Sequence, residues 1–153
     1  MKPIRNSVKA LIIENGKLLA TKNKDQFGTF YLLPGGGQEP GETMHEALKR
    51  ECLEEISAEV EIGEFKFIRE YIGKNHEFAE WDSDIHQIEF IFLCSLKPGS
   101  EVKPGIVPDI CQTGIEWLDL ARLSEYRVYP KSLGKEISDA GELSPVIYLG
   151  DTN

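Results

Sequence analysis

Glu51, Glu54 and Glu55 follow directly on Arg50 in the stretch GGQEPGETMHEALKRECLEEISA, which runs from Gly36 to Ala58. The stretch is patterned as a helix, and residues three and four apart on a helix are surface neighbours. The spacing therefore gathers three carboxylates on one surface, where like charges repel and nothing local favours them. A divalent cation would. Hard ions such as Mg2+ or Mn2+ take carboxylate oxygens and bind phosphate groups alongside them.

The helix that positions these groups is expected to begin at Thr43, because Thr43 and Glu46 have capping-box spacing and Pro40-Gly41 holds the preceding loop outside. Met44, Ala47, Leu48, Cys52 and Ile56 then form one apolar arc. Glu51, Glu54 and Glu55 overlap the edge of that arc, while Glu46, Lys49 and Arg50 lie toward the opposite side. A charge run that only solubilises would sit away from the apolar arc. Carboxylates at its margin point partly into the protein, and buried charges need partners. Just upstream, Gly35, Gly36 and Gly37 follow Pro34. They read either as a flexible turn or as backbone that comes close to a ligand.

Gly36, Glu42, Arg50, Glu51, Glu54 and Glu55, with Cys52 and Ala58 in the apolar slots, resemble the signature box of the Nudix hydrolase superfamily. The box covers about a seventh of the chain, and Ser57 stands where the family has glycine. The resemblance implies an α/β fold, a Nudix-type α/β/α sandwich with a mixed β-sheet, in one domain spanning 1–153. It implies metal-dependent hydrolysis of a pyrophosphate bond in a nucleoside diphosphate linked to another moiety: a nucleotide sugar, a dinucleoside polyphosphate or a nucleoside triphosphate. Glu51, Glu54 and Glu55 would be the metal ligands, and Gly35, Gly36 and Gly37 the backbone at the substrate. Arg50 would orient the carboxylates by forked hydrogen bonds, although a helical wheel alone places it on the far, exposed side. The general base would be Glu54, with Asp109 and Glu89 as alternatives. Two other readings stay open: a non-catalytic nucleotide sensor, which Ser57 slightly favours, and an isoprenoid diphosphate isomerase, whose dedicated cysteine motif is not matched by Cys52 or Cys94.

The chain of 153 residues fits one domain with one sizeable core. Its net charge of −9 argues against a nucleic acid polymer or an acidic membrane as the main partner. The same charge would repel a free phosphate-bearing substrate, so a neutralising metal is a natural requirement. Cys52, Cys94 and Cys111 are too few and too scattered for a disulfide framework or zinc cluster. MKPIRNSVKALIIENGK holds only a short apolar run, neither signal nor anchor, and the expected location is cytoplasmic. Oligomeric state is not encoded in any motif, and a homodimer follows only from the resemblance. His45, His76 and His86 lack the spacing of a metal pair. Phe27, Tyr71, Phe78 and Trp81 are candidates to stack on a base, although most aromatics in a domain are core.

Asn15-Gly16 between apolar runs predicts a hairpin over 8–22. A loop is expected over 23–29, a short strand over 30–33, one or two strands over 59–72, and a polar connection over 73–83. The segment 86–96 alternates as a long strand, with Ile88, Phe90, Phe92 and Cys94 on one face and Glu89, Ile91 and Leu93 on the other. A long loop over 97–113, a strand over 115–118, a helix capped by Asp119, a short helix over 131–138 and an edge strand over 146–149 complete the expectation.

Overall fold

The computed structural model describes residues 2–105 and 110–153. Strand β1 (Arg5–Glu14) turns at Asn15 and Gly16 into β2 (Lys17–Asp25). Both turn residues have positive φ, 51° and 73°, as a tight antiparallel hairpin requires. The polar segment after the hairpin is mostly strand. β2 runs on to Asp25 and β3 (Gly28–Leu32) pairs back on it, leaving Gln26 and Phe27 as the turn. The triple glycine is also a strand: β4 (Gly35–Gly37) pairs antiparallel with β1, matching Ser7, Val8 and Lys9 to Gly37, Gly36 and Gly35.

Helix α1 (Met44–Ile56) starts where the capping box places it. Thr43 Oγ1 accepts from Glu46 N at 3.1 Å and Glu46 Oε2 accepts from Thr43 N at 2.8 Å. After it, β5 (Val60–Ile72) forms one irregular strand and β6 (His86–Leu96) one long one. Between them lie a 3-10 turn (Gly73–Asn75) and the short helix α2 (Ala79–Asp82). β7 (Gln112–Asp119) is longer than its apolar run because its first residues pair with β2. The helix expected after Asp119 is a 3-10 segment (Leu120–Glu125) that Asp119 does not cap with its side chain. β8 (Val128–Tyr129) follows, then a second 3-10 segment (Lys131–Lys135), and β9 (Tyr148–Asp151) adds to β5 in parallel.

β1 is the hinge of the mixed sheet. Its first half lies between β4 and the parallel strand β6, and its last residues join β2. One face packs Val8, Ala10 and Ile12 against Ala47, Leu48, Cys52 and Ile56 of α1. Across the sheet, Leu11, Phe67 and Ile91 pack with Leu120, Leu123 and Leu133 from the 3-10 segments. The architecture is α/β, with helical layers on both faces of a mixed, curled sheet. Among the described residues, no helix is long and apolar enough to cross a membrane.

Candidate active site

The acidic helix meets the glycine strand. Arg50, drawn to the exposed side by the helical wheel, folds back over the end of β4. Its Nη2 donates to the Gly37 carbonyl at 3.0 Å and to Glu42 Oε2 at 2.9 Å, and its Nε donates to Glu42 Oε1. Its Nη1 is shared by Glu51 Oε1 at 3.0 Å and Glu54 Oε2 at 3.5 Å. One guanidinium thus holds three carboxylates around a backbone carbonyl, a use of its planar fork that an ammonium could not reproduce. Arg50 holds the Glu42 carboxyl down to about 2, while burial raises Glu51 above the usual carboxylate range despite Arg50.

Glu55 goes elsewhere. It is buried, and its Oε2 accepts from the Gly35 N–H at 3.1 Å. Glu51 and Glu54 are therefore brought together, and Glu55 is tied to the start of the same strand. Among the described residues, no three acidic, histidine or cysteine side chains converge as a ready metal cage. The donors at hand are still hard oxygens, carboxylates beside glycine carbonyls, which suit Mg2+ or Mn2+ better than softer ions.

Packing forbids a side chain at the first residue of β4: a β-carbon on Gly35 (φ 141°) would lie 2.0 Å from the Val8 carbonyl oxygen, whereas the next two glycines face the ends of side chains. A β-carbon on Gly36 would lie 2.6 Å from Cδ and Oε1 of Glu51, and one on Gly37 would lie 2.5 Å from Arg5 Nη2. Gly36 faces the acidic helix and Gly37 the opposite side, as alternation along a strand dictates. The end of α1 is closed by Ser57, which takes the left-handed conformation (φ 52°) usual for glycine. Its hydroxyl donates to the Pro104 carbonyl at 3.2 Å, while Lys103 N and Gly105 N bond the carbonyls of Ile56 and Glu55. Serine at this position therefore leaves the helix end satisfied.

On the other face of the sheet a cavity of about 650 Å³ opens. Its walls include Phe27, Phe78 and Trp81, with Phe27 centred 6.3 Å from Phe78 and 6.2 Å from Trp81. Arg127 forms a double hydrogen bond with Asp25, at 2.9 and 2.7 Å, and lies within 6 Å of four ring centres, those of Phe27, Phe30, Phe78 and Tyr129. Tyr71 also lines the cavity, so the four aromatics singled out in the sequence share one chamber. Glu89 lies on this face, not with the helix carboxylates. It is buried, accepting from Arg69 Nε at 3.0 Å and from Gln87 at 3.3 Å. Asp109 lies outside the described residues.

The histidines stand apart from the carboxylate cluster: His45 packs edge-on to Phe92, His76 bonds Asp151 and His86 bonds Glu70. Cys52 and Cys94 are buried, and burial pushes the Cys94 thiol up to about 12. Sequence reasoning passed over Arg5, Lys9, Arg69 and Arg127. Lys9 had a visible signal, a lone charge inside the apolar run of a central strand.

The family model described as the NUDIX domain matches residues 3–136. The chain is 45% identical over 95 residues to a nucleoside triphosphatase, NudI, of Enterobacter sp. (strain 638), covering 59% of this chain and 67% of that one. It is 35% identical over 105 residues to NudI of Escherichia coli O1:K1 / APEC, covering 65% and 73%. Among solved structures, a NUDIX hydrolase from Nitrosomonas europaea superposes with a TM-score of 0.67 at 19% identity, covering 94% of each chain. An ADP-ribose pyrophosphatase from Streptococcus suis 89-1591 superposes with a TM-score of 0.55 at 20% identity, covering 76% of this chain and 75% of that one.

Proposed function

The chain belongs to the Nudix hydrolase family, and on that premise we propose that it splits the pyrophosphate linkage of a nucleoside triphosphate with the help of Mg2+ or Mn2+. The observation that carries this reading is the Arg50 hub, which presents Glu51 and Glu54 side by side against a bare glycine strand. The two NudI relatives, named as nucleoside triphosphatases, favour a triphosphate over a nucleotide sugar or a dinucleoside polyphosphate.

In this reading Glu51, Glu54 and Glu55 would hold the metal, with a backbone carbonyl of the Gly35–Gly37 strand as a further oxygen, and the backbone of Gly35, Gly36 and Gly37 would lie along the substrate. Bound there, the divalent ion supplies Lewis-acid charge and a water of lowered pKa. Arg50 sets the spacing of the carboxylates and offsets their mutual repulsion before any ligand arrives. Water attacks one phosphorus, the bridging P–O bond breaks, and Glu54 takes the proton of the attacking water. Glu54 suits that role because it is the more exposed of the two carboxylates on Arg50 Nη1, with 35% of its side chain accessible against 13% for Glu51. Glu89 is less suited, since both its oxygens are already engaged in the cavity wall. The enzyme acts as a single domain in the cytoplasm, on a small molecule rather than a nucleic acid polymer.

The test is a panel of nucleoside triphosphates, nucleotide sugars and dinucleoside polyphosphates with Mg2+ or Mn2+, scored by product. Triphosphate turnover that excess chelator abolishes supports the reading. Full turnover in chelator removes the metal-dependent mechanism, and binding without turnover across the panel points to a sensor.

A further inference from the structure

The face of β1 opposite α1 carries Arg5, Ser7 and Lys9 in alternation, alongside the glycine strand. Lys9 is 9% exposed, and its ammonium donates to the carbonyls of Leu33 and Gly35, each at 3.3 Å. An ammonium has three protons to donate, and these two bonds leave one over. Among the described residues, no carboxylate forms an ion pair with Lys9 or Arg5. Both side chains line the cavity. A buried ammonium with no carboxylate bonded to it is costly in any protein, and more conspicuous in one carrying a net charge of −9.

Across the strands on this face, the register partner of Ser7 is Glu89. Arg69 already engages it, so Glu89 does not discharge Lys9. The same cavity is lined by the exposed rings of Phe27 and Trp81, which offer flat apolar faces. The chamber thus combines aromatic walls with two cations that border the glycine strand, Lys9 at Gly35 and Arg5 at Gly37, and the far side of that strand meets Glu51.

We propose that Lys9 and Arg5 bind the phosphate chain of the substrate, fixing a nucleoside polyphosphate with its base at Phe27 and Trp81 and its anhydride along Gly35–Gly37. This rests on the hydrolase reading for the identity of the ligand, but its test does not depend on turnover. Charge-assisted hydrogen bonds of this kind are worth enough to change affinity about tenfold or more.

The experiment is calorimetric titration of the full chain with α,β-methylene analogues of the four common nucleoside triphosphates and with the matching nucleosides, in chelator and in magnesium. Lys9→Met keeps the buried stem and removes the charge; Arg5→Gln changes an exposed residue and carries the test if Lys9→Met does not fold. The expected result is about a tenfold or greater loss of triphosphate affinity in each variant that folds, with nucleoside affinity changed less than about twofold. Unchanged triphosphate affinity, an equal loss for the nucleoside, or no triphosphate binding by the wild type overturns the proposal. Selective loss in a wild type that turns nothing over would uphold the anchor and remove the hydrolase reading. Turnover by a wild type whose variants bind normally would do the reverse.

Discussion

The two faces of the glycine strand are built in opposite ways. On the helix side, negative groups are crowded together and held by one internal cation, Arg50. On the cavity side, among the described residues, Lys9 and Arg5 have no bonded carboxylate, while Arg69 and Arg127 are paired with Glu89 and Asp25 beside a cluster of aromatic rings. The first face is paired internally, whereas on the second, among the described residues, two cations are left without a carboxylate partner. This difference underlies the proposed division of labour, in which the helix face would hold a cation and the cavity face would receive an anionic, ring-bearing ligand.

The sharpest way to break the first face is Glu54→Gln, which removes a proton acceptor and a metal oxygen together. We expect kcat to fall by about two to four orders of magnitude with the melting temperature nearly unchanged, measured by phosphate release and thermal denaturation. Near-normal turnover would remove Glu54 from the chemistry. A smaller effect separates the faces directly. Gly36→Ala would displace the carboxylate of Glu51, a proposed metal ligand, whereas Gly37→Ala would displace the end of Arg5 on the other side of the strand. We expect roughly a hundredfold loss of kcat for Gly36→Ala and a markedly smaller one for Gly37→Ala, compared in one steady-state assay. Equal losses would mean that the two faces are not distinct.

On the cavity side, Phe27→Ala should raise KM about tenfold while leaving kcat within a factor of a few, because stacking on a base contributes to binding before chemistry. A fall in kcat alone would exclude the stacking role. The smallest expected effect concerns Arg50 and Glu42. Glu42 titrates near 2 in the fold against an ordinary value of 4.5, so its bond to Arg50 stabilises the protein fully above 4.5 and loses that contribution as pH falls toward 2. Glu42→Gln should therefore lower the melting temperature slightly at neutral pH, with the gap from wild type closing in acid. A gap that widens in acid would reverse the sign and refute the pairing.

The helix face was legible because its residues are close in sequence. Thr43, Glu46 and the apolar arc over 44–56 carry the helix by themselves, and the carboxylates follow from helical spacing. Arg50 was misplaced by the wheel because its long side chain reaches back to Gly37, a contact set by tertiary packing. The glycine run read as a turn because glycine carries no strand signal. Only its pairing with β1 makes it a strand. The cavity was harder to see, since Lys9, Phe27, Trp81 and Arg127 come from separate elements and meet only once the sheet has curled. Its four aromatics could be suspected singly but not placed together. The 3-10 segments replaced the two expected helices because short apolar runs such as Leu120–Glu125 fill the second core without completing an α-helical turn pattern.

At Gly36 the partition between these opposite electrostatic environments is a single peptide strand with hydrogen in place of side chains. Burial raises the proton affinity of Glu51 on one side, and the charge of Lys9 on the other opposes that rise without touching the carboxylate. Variants at those two positions should then be energetically non-additive in a double-mutant cycle, even though they share no bond. Thickening that divider by one methyl group would weaken the crosstalk as well as the fit.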